Sequence, residues 1–250
     1  MFALRLARCA VLFAALVTGC ASAATSPATS GYLAESASVP REASIAASYT
    51  LPATDPAVRL SGNGPLAAGN YYLDDRHFTN ASRLTFTVPA GWTTEEYGEL
   101  YKDRGGPGEV KFITWVLTHV FSDVCQWGAL VDAGTTVDQF VSAVVAQEGR
   151  EASAPMDVSV GGFPATRIDL TVPADLDTAS CTNDVLRYWP GPGPDMSDGD
   201  CCNPPGNTDS VYVVDVAGKR LVIIARYYPG SSAEDRAELE GIVDSIEIEP

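Results

Sequence analysis

An α+β domain, in which an antiparallel β-sheet is flanked by two main helices, is what this chain of 250 residues predicts. Three observations carry that prediction. Apolar and polar residues alternate in short runs punctuated by glycine and proline, as in half-buried strands. Two segments switch to helical periodicity behind capping residues. The runs cluster as hairpins rather than alternating with helices, which excludes a parallel βαβ plan.

Taken in order, residues 71–73 form a first short strand, and 84–88 (LTFTV) alternate cleanly before Pro89-Ala90-Gly91 breaks them. Residues 99–102 form another strand, closed by the glycine-rich turn at 104–108. The β-branched and aromatic run 110–121 (VKFITWVLTHVF) is the expected central strand. Residues 137–148 form the first helix. Thr136 and Gln139 make its capping box, and Val137, Phe140, Val141, Val144 and Val145 lie on one face. Residues 157–160 and 163–172 form a hairpin around Gly161-Gly162, with Ile168, Leu170 and Val172 inward. A strand at 185–189 interrupts an irregular region. Residues 211–216 and 220–228 make a second hairpin around Ala217-Gly218-Lys219. Ser231 with Glu234 caps the last helix, which buries Leu239, Ile242, Val243 and Ile246. Residues 246–248 end the chain as a short strand.

The N-terminus sets the compartment. Arg5 and Arg8 precede an apolar core, CAVLFAALV, too short to span a bilayer as a permanent helix. Val17-Thr18-Gly19-Cys20 follows, and this resembles the lipobox of bacterial lipoproteins. The resemblance implies a signal peptide at 1–19 and a lipid-bearing Cys20, with a diacylglyceryl group on its thiol and palmitate-type acyl chains. Cleavage after Ala21-Ser22-Ala23 is the competing reading and would give a secreted protein. Either way the domain is extracytoplasmic. Residues 20–64 are rich in Ala, Ser, Thr and Pro without an apolar period, so they are expected to be a disordered tether, with one domain over 65–250.

Once the order of elements is laid out, the strand ending in Val88-Pro89-Ala90-Gly91-Trp92, the central helix, the hairpins and the terminal helix together resemble the PsbP-like fold of extracytoplasmic lipoproteins. The resemblance spans about 65–250 and transfers no residue role, because a fold does not specify an activity.

Composition narrows the partners. The formal net charge is −16, and loss of a signal containing two arginines and no acid makes the exported part more acidic still. Nucleic acid is therefore excluded as a partner. The expected partners are the membrane, through the N-terminal lipid, and an envelope protein, polymer or small ligand.

Four cysteines remain after export: Cys125, Cys181, Cys201 and Cys202. In an oxidising compartment they read as two disulfides. A bond between the adjacent Cys201 and Cys202 strains disulfide geometry, so Cys125 and Cys181 are each expected to take one of that pair.

No motif for catalysis, metal or cofactor is present, and the chain is expected not to be an enzyme. His77 and His119 stand in different elements without metal-ligand spacing. Glu95, Glu96, Asp123 and Asp169 would serve an envelope hydrolase, the alternative function, only if folding brought two of them together. Asp195, Asp198 and Asp200 in the loop 190–207 do not match a calcium-loop spacing and read as solvated acids. The favoured function is a non-catalytic binding domain, with the loop aromatics Trp127 and Trp189 lining its surface.

Overall fold

The computed structural model describes residues 56–74, 79–95, 98–190, 199–200 and 202–250. Cys20, His77, Glu96, Asp195, Asp198 and Cys201, and with them the expected signal and most of the expected tether, lie outside these residues. No helix among the described residues is long and apolar enough to cross a membrane.

The scaffold is a large sheet built on two long hairpins. Strand β11 (Met156–Val160) pairs with β12 (Phe163–Thr171), and β13 (Thr208–Val216) with β14 (Lys219–Tyr227). The sheet then continues from β14 through β7 (Val110–Trp115) and β6 (Leu100–Lys102) to β5 (Thr93–Thr94) and β2 (Gly64–Pro65). Strand β10 (Glu151–Ala152) joins the far end of β12. A smaller sheet runs β1 (Val58–Arg59), β3 (Gly69–Leu73), β4 (Arg83–Val88), β15 (Glu247–Glu249), and β8 (His119–Phe121) pairs with β9 (Leu130–Asp132) as a separate ribbon.

Both faces of the large sheet are buried, because a two-sided strand carries apolar residues at consecutive positions. Tyr212, Val214, Leu221, Ile223 and Phe112 point to one core, shared with Phe86, Trp92 and helix α2 (Ala233–Asp244). Val211, Val213, Val222, Ile224 and Ile113 point to the other, shared with Phe140 and Val144 of helix α1 (Val137–Val145). Trp92 is fully buried and donates its indole N–H to Glu238 of α2 at 2.9 Å, which ties the Pro-x-Gly-Trp turn to the last helix. Lys102 reaches the same helix, at 2.9 Å from Glu238 and 2.7 Å from Asp235.

Helix α1 starts as predicted, with Thr136 and Gln139 exchanging the capping-box bonds, but it ends at Val145, three residues before the expected stop. Its valines give it little intrinsic helicity, and it lasts only where it packs on the sheet. The turn at Gly161-Gly162 is also as predicted. Gly161 has φ +57°, and a Cβ there would stand 2.6 Å from Ile248, so the approach of β15 requires glycine.

Four expectations are corrected. The domain begins before residue 65: β1 pairs in parallel with β3, and Leu60 is buried while its N–H bonds Tyr72 O at 2.8 Å. The run 110–121 is not one strand, because after Trp115 the chain leaves the sheet and re-forms as β8 against β9. The stretch 185–189 is not a strand of the sheet. It is an extended plug outside both larger sheets: Arg187 N bonds Val124 O at 2.8 Å, Cys202 N bonds Leu186 O at 3.1 Å and Phe121 N at the end of β8 bonds Tyr188 O at 3.4 Å, while Leu186, Tyr188 and Trp189 fill the α1-side core. The cap of α2 is Ser232, whose hydroxyl accepts from Asp235 N, one residue beyond the expected Ser231. Ser231 is occupied elsewhere, accepting from Tyr228 N at 2.9 Å and donating to Glu109 O at 3.0 Å.

Candidate functional site

The strand register lays a row of polar side chains across the α1 face of the sheet. Asp209 of β13 lies opposite Arg226 of β14, Arg226 opposite Lys111 of β7, and Lys111 opposite Tyr101 of β6. Directly opposed residues share a face, so the four side chains form one line from core to surface.

At the inner end Arg226 and Asp209 are fully buried. The Arg226 guanidinium holds two carboxylates at once. Nε donates to Asp209 Oδ1 at 2.5 Å and Nη2 to Asp209 Oδ2 at 3.0 Å, while Nη1 and Nη2 donate to Asp200 at 2.8 and 2.5 Å. Nη1 also donates to Asn203 Oδ1 at 2.6 Å. Burial alone would lower the arginine pKa, but the two carboxylates hold it well above its ordinary value. Burial likewise pushes Asp200 up, and the charge and hydrogen bonds of Arg226, with Lys111 and Asn203, bring it below the usual carboxylate range.

A second guanidinium, from Arg150, donates to Asp209 Oδ2 at 3.1 Å and lies 4.2 Å from the Tyr188 ring centre. It also bonds Gln147 Oε1, and the Gln147 amide in turn donates to Phe121 O and Tyr188 O at 2.8 and 2.7 Å. The Tyr188 hydroxyl donates to Asn207 at 2.5 Å. This network anchors Asp200, Asn203 and Asn207 to the sheet. It also settles one of the three loop aspartates: Asp200 is an internal ion-pair partner, not a solvated acid, because it meets a buried arginine.

At the outer end the row opens into a groove of about 490 Å³, lined by Tyr101, Arg104, Glu109, Lys111, Asn203 and Tyr228 among others. Its cations lean on aromatic rings, with Arg104 and Lys111 each 4.9 Å from the centre of Tyr101. Lys111 also pairs with Glu99 at 2.9 Å, and Tyr101 donates its hydroxyl to the same carboxylate. Burial, then Glu99, pushes the Tyr101 phenol up. Burial, then Glu109, pushes Tyr228 up to about 12. Both are neutral hydroxyls at physiological pH, and the Tyr101 proton is committed to Glu99, which leaves its oxygen to accept.

The predicted site residues lie elsewhere. Cys125 and Cys181 are bonded to each other, with Cα atoms 4.5 Å apart, not to the 201–202 pair. Two short 3-10 turns, Thr178–Ser180 and Thr182–Asp184, bring Cys181 alongside the Cys125 loop, where Thr182 N bonds Cys125 O at 2.9 Å. Cys202 is disulfide-bonded as well.

Trp189 is fully buried against Tyr188 and presents no face to a ligand, which corrects its expected place on a binding surface. Trp127 is half-buried, bonded to Val185 O at 3.3 Å and covered by Arg187, whose guanidinium lies 4.9 Å from the ring. Neither tryptophan lines the groove.

Each described carboxylate that the sequence offered for hydrolysis has a partner. Asp123 accepts from Cys125 N and Gln126 N at 2.7 and 2.8 Å. Asp169 takes Arg167 at 3.1 Å and Ser210 at 2.7 Å, and Glu95 takes Arg104. His119 meets Thr118 at 3.0 Å. Among the described residues no three His, Cys, Asp or Glu side chains are grouped to hold a metal ion.

No protein-family model matches the chain, and neither does any curated protein. Among solved structures it is similar to the solution structure of cyanobacterial PsbP (CyanoP) from Synechocystis sp. PCC 6803. The identity is 11%, the TM-score 0.34, and the match covers 73% of this chain and 94% of that one. The α+β class rests on the strand pairings and helix packing above rather than on this likeness.

Proposed function

We propose that this chain is an exported lipoprotein, anchored by lipid on Cys20, whose folded domain binds a ligand or partner without transforming it. The observation that supports the reading is the groove at the end of the polar row. It offers two neutral phenols and two carboxylate-paired cations, Arg104 and Lys111, on a wall backed by the buried Arg226 and its two aspartates. Such a surface suits a polar ligand carrying an anionic or ring-like group, which a small envelope metabolite, a polymer or a protein could present. The pairing of Asp123, Asp169 and Glu95 speaks against the alternative hydrolase, whose acid and base must be free to exchange protons with substrate.

The test has two arms. The native protein should partition into detergent with lipid on Cys20, and Cys20→Ala should block both. An unmodified N-terminus in the membrane fraction would end the lipoprotein reading. For the groove, a photo-crosslinking residue at position 228 should trap an envelope component in intact cells, and Arg104→Glu should abolish the adduct. Turnover of an envelope polymer that disappears with Glu99→Gln would instead establish a hydrolase.

A further inference from the structure

A second surface, independent of that groove, lies where β9 passes helix α1. Strand β9 pairs with β8 on one side, and no strand pairs with its other edge among the described residues. Opposed pairs run His119 with Asp132, Val120 with Val131 and Phe121 with Leu130, flanked by the bonds Ala133 N to Thr118 O at 2.9 Å and Ser122 N to Ala129 O at 2.8 Å. In an antiparallel pair the residues that bond the partner alternate with those that do not. Residues 129, 131 and 133 therefore spend their backbone groups on β8, and the N–H and C=O of Leu130 and Asp132 face the open edge.

Beside that edge, between β9 and α1, is a cavity of about 620 Å³ lined by Val131, Asp132, Asp138, Gln139, Ser142 and Ala143 with Gly134. Val131 and Ala143 are the apolar side chains of that lining, and Leu130, Val131 and Val145 are 37%, 38% and 42% exposed, large for apolar side chains. The end of the cavity is fixed. Arg220, buried over the Phe140 ring, donates to Ala133 O at 2.9 Å, Gly134 O at 2.7 Å and Thr136 O at 3.3 Å, and also to Leu117 O. A strand edge with unspent backbone groups, beside a helix and next to a cavity that Val131 and Ala143 help to line, is the arrangement that accepts an added strand.

We infer that β9 and α1 form a docking site for an extended, basic segment of a partner protein, which adds antiparallel to β9 and sets alternate apolar side chains into the cavity. Charge selects this occupant. The charged residues lining the cavity are Asp132 and Asp138. A second copy of this chain, at net −16, would bring like charge to them, and the tether over 20–55 carries Arg41 against Glu35, Glu42 and Asp55. A segment with Lys or Arg flanking small apolar residues meets both the acids and the Val131 and Ala143 side chains.

The test titrates the mature, folded protein with three blocked hexapeptides: alternating lysine and valine, alternating glutamate and valine, and the lysine peptide N-methylated at alternate residues. The first should bind and should protect the Leu130 and Asp132 amides from hydrogen exchange. The other two should bind at least about tenfold more weakly, since one loses the charge match and the other the main-chain donors. Added salt, and Asp138→Lys with an unchanged melting transition, should each weaken the first peptide several-fold. Absence of binding by the lysine peptide, equal binding by the N-methylated one, or a concentration-dependent dimer that protects the same two amides would overturn the inference. None of these results bears on the cross-link at position 228.

Discussion

Replacing Arg226 by methionine is expected to cost about 3 to 5 kcal/mol of stability, because Asp200 and Asp209 are then left buried without their common cation. For a domain of this size that lowers the melting temperature by roughly 6 to 20 °C. Substituting both aspartates by leucine in the same background should recover part of the loss but not all, since Arg150 would then lack Asp209. The same network sets the acid limb of stability. Asp200 titrates below its unfolded value, near 3.9, so its contribution is complete above that pH and is lost as pH falls through the lower folded value. Asp200→Asn should be less stable than the parent at neutral pH and should lose less of its stability below about pH 4. A melting temperature within 2 °C of the parent for Arg226→Met would show that the clamp is dispensable.

Removal of the Cys125–Cys181 bond by paired serine substitutions should have a comparable effect. The bond closes a span of 56 residues, and chain-entropy reasoning gives about 4 kcal/mol for such a loop. Both sulfurs are buried in the α1-side core, so the two new hydroxyls add a desolvation cost. Non-reducing peptide mapping of the native protein should yield a fragment joining Cys125 to Cys181. A fragment joining either of them to the 201–202 pair would refute the assignment.

The hairpins and the first helix cap were legible in the sequence because each is a local pattern: alternation marks β12, continuous apolar runs on either side of the turn at Ala217-Gly218 mark β13 and β14, and Thr136 with Gln139 fixes the start of α1. What depends on distant residues was not. The disulfide pairing follows from how the 3-10 turns at 178–184 fold against the Cys125 loop, which spacing does not encode. The extended plug 185–189 has side chains as apolar as those of a strand, yet it joins neither of the larger sheets. The Arg226 clamp did leave a trace. An arginine inside the run LVIIARYY is out of place in a buried strand, and counting back from the turn at Ala217-Gly218 puts Asp209 directly opposite it. Reading that register as well as the alternation would have found the inner end of the site. Asp200 and Asn203 reach the clamp from a turn with no pattern of its own, and only the fold brings them there.

The hairpin of β13 and β14 also works as a partition. Val213 and Val214 are neighbours in sequence, yet one belongs to the α1-side core and the other to the α2-side core, on opposite faces of one backbone layer. A void opened on one side is walled off from the other by the densely hydrogen-bonded centre of the sheet, so damage to the two cores sums nearly independently, whereas two truncations within one core share a cavity and do not. The domain therefore has two reserves of stability behind a single shared wall. Sequence change on the α1 side can accumulate around the polar row without drawing on the packing that holds α2 in place.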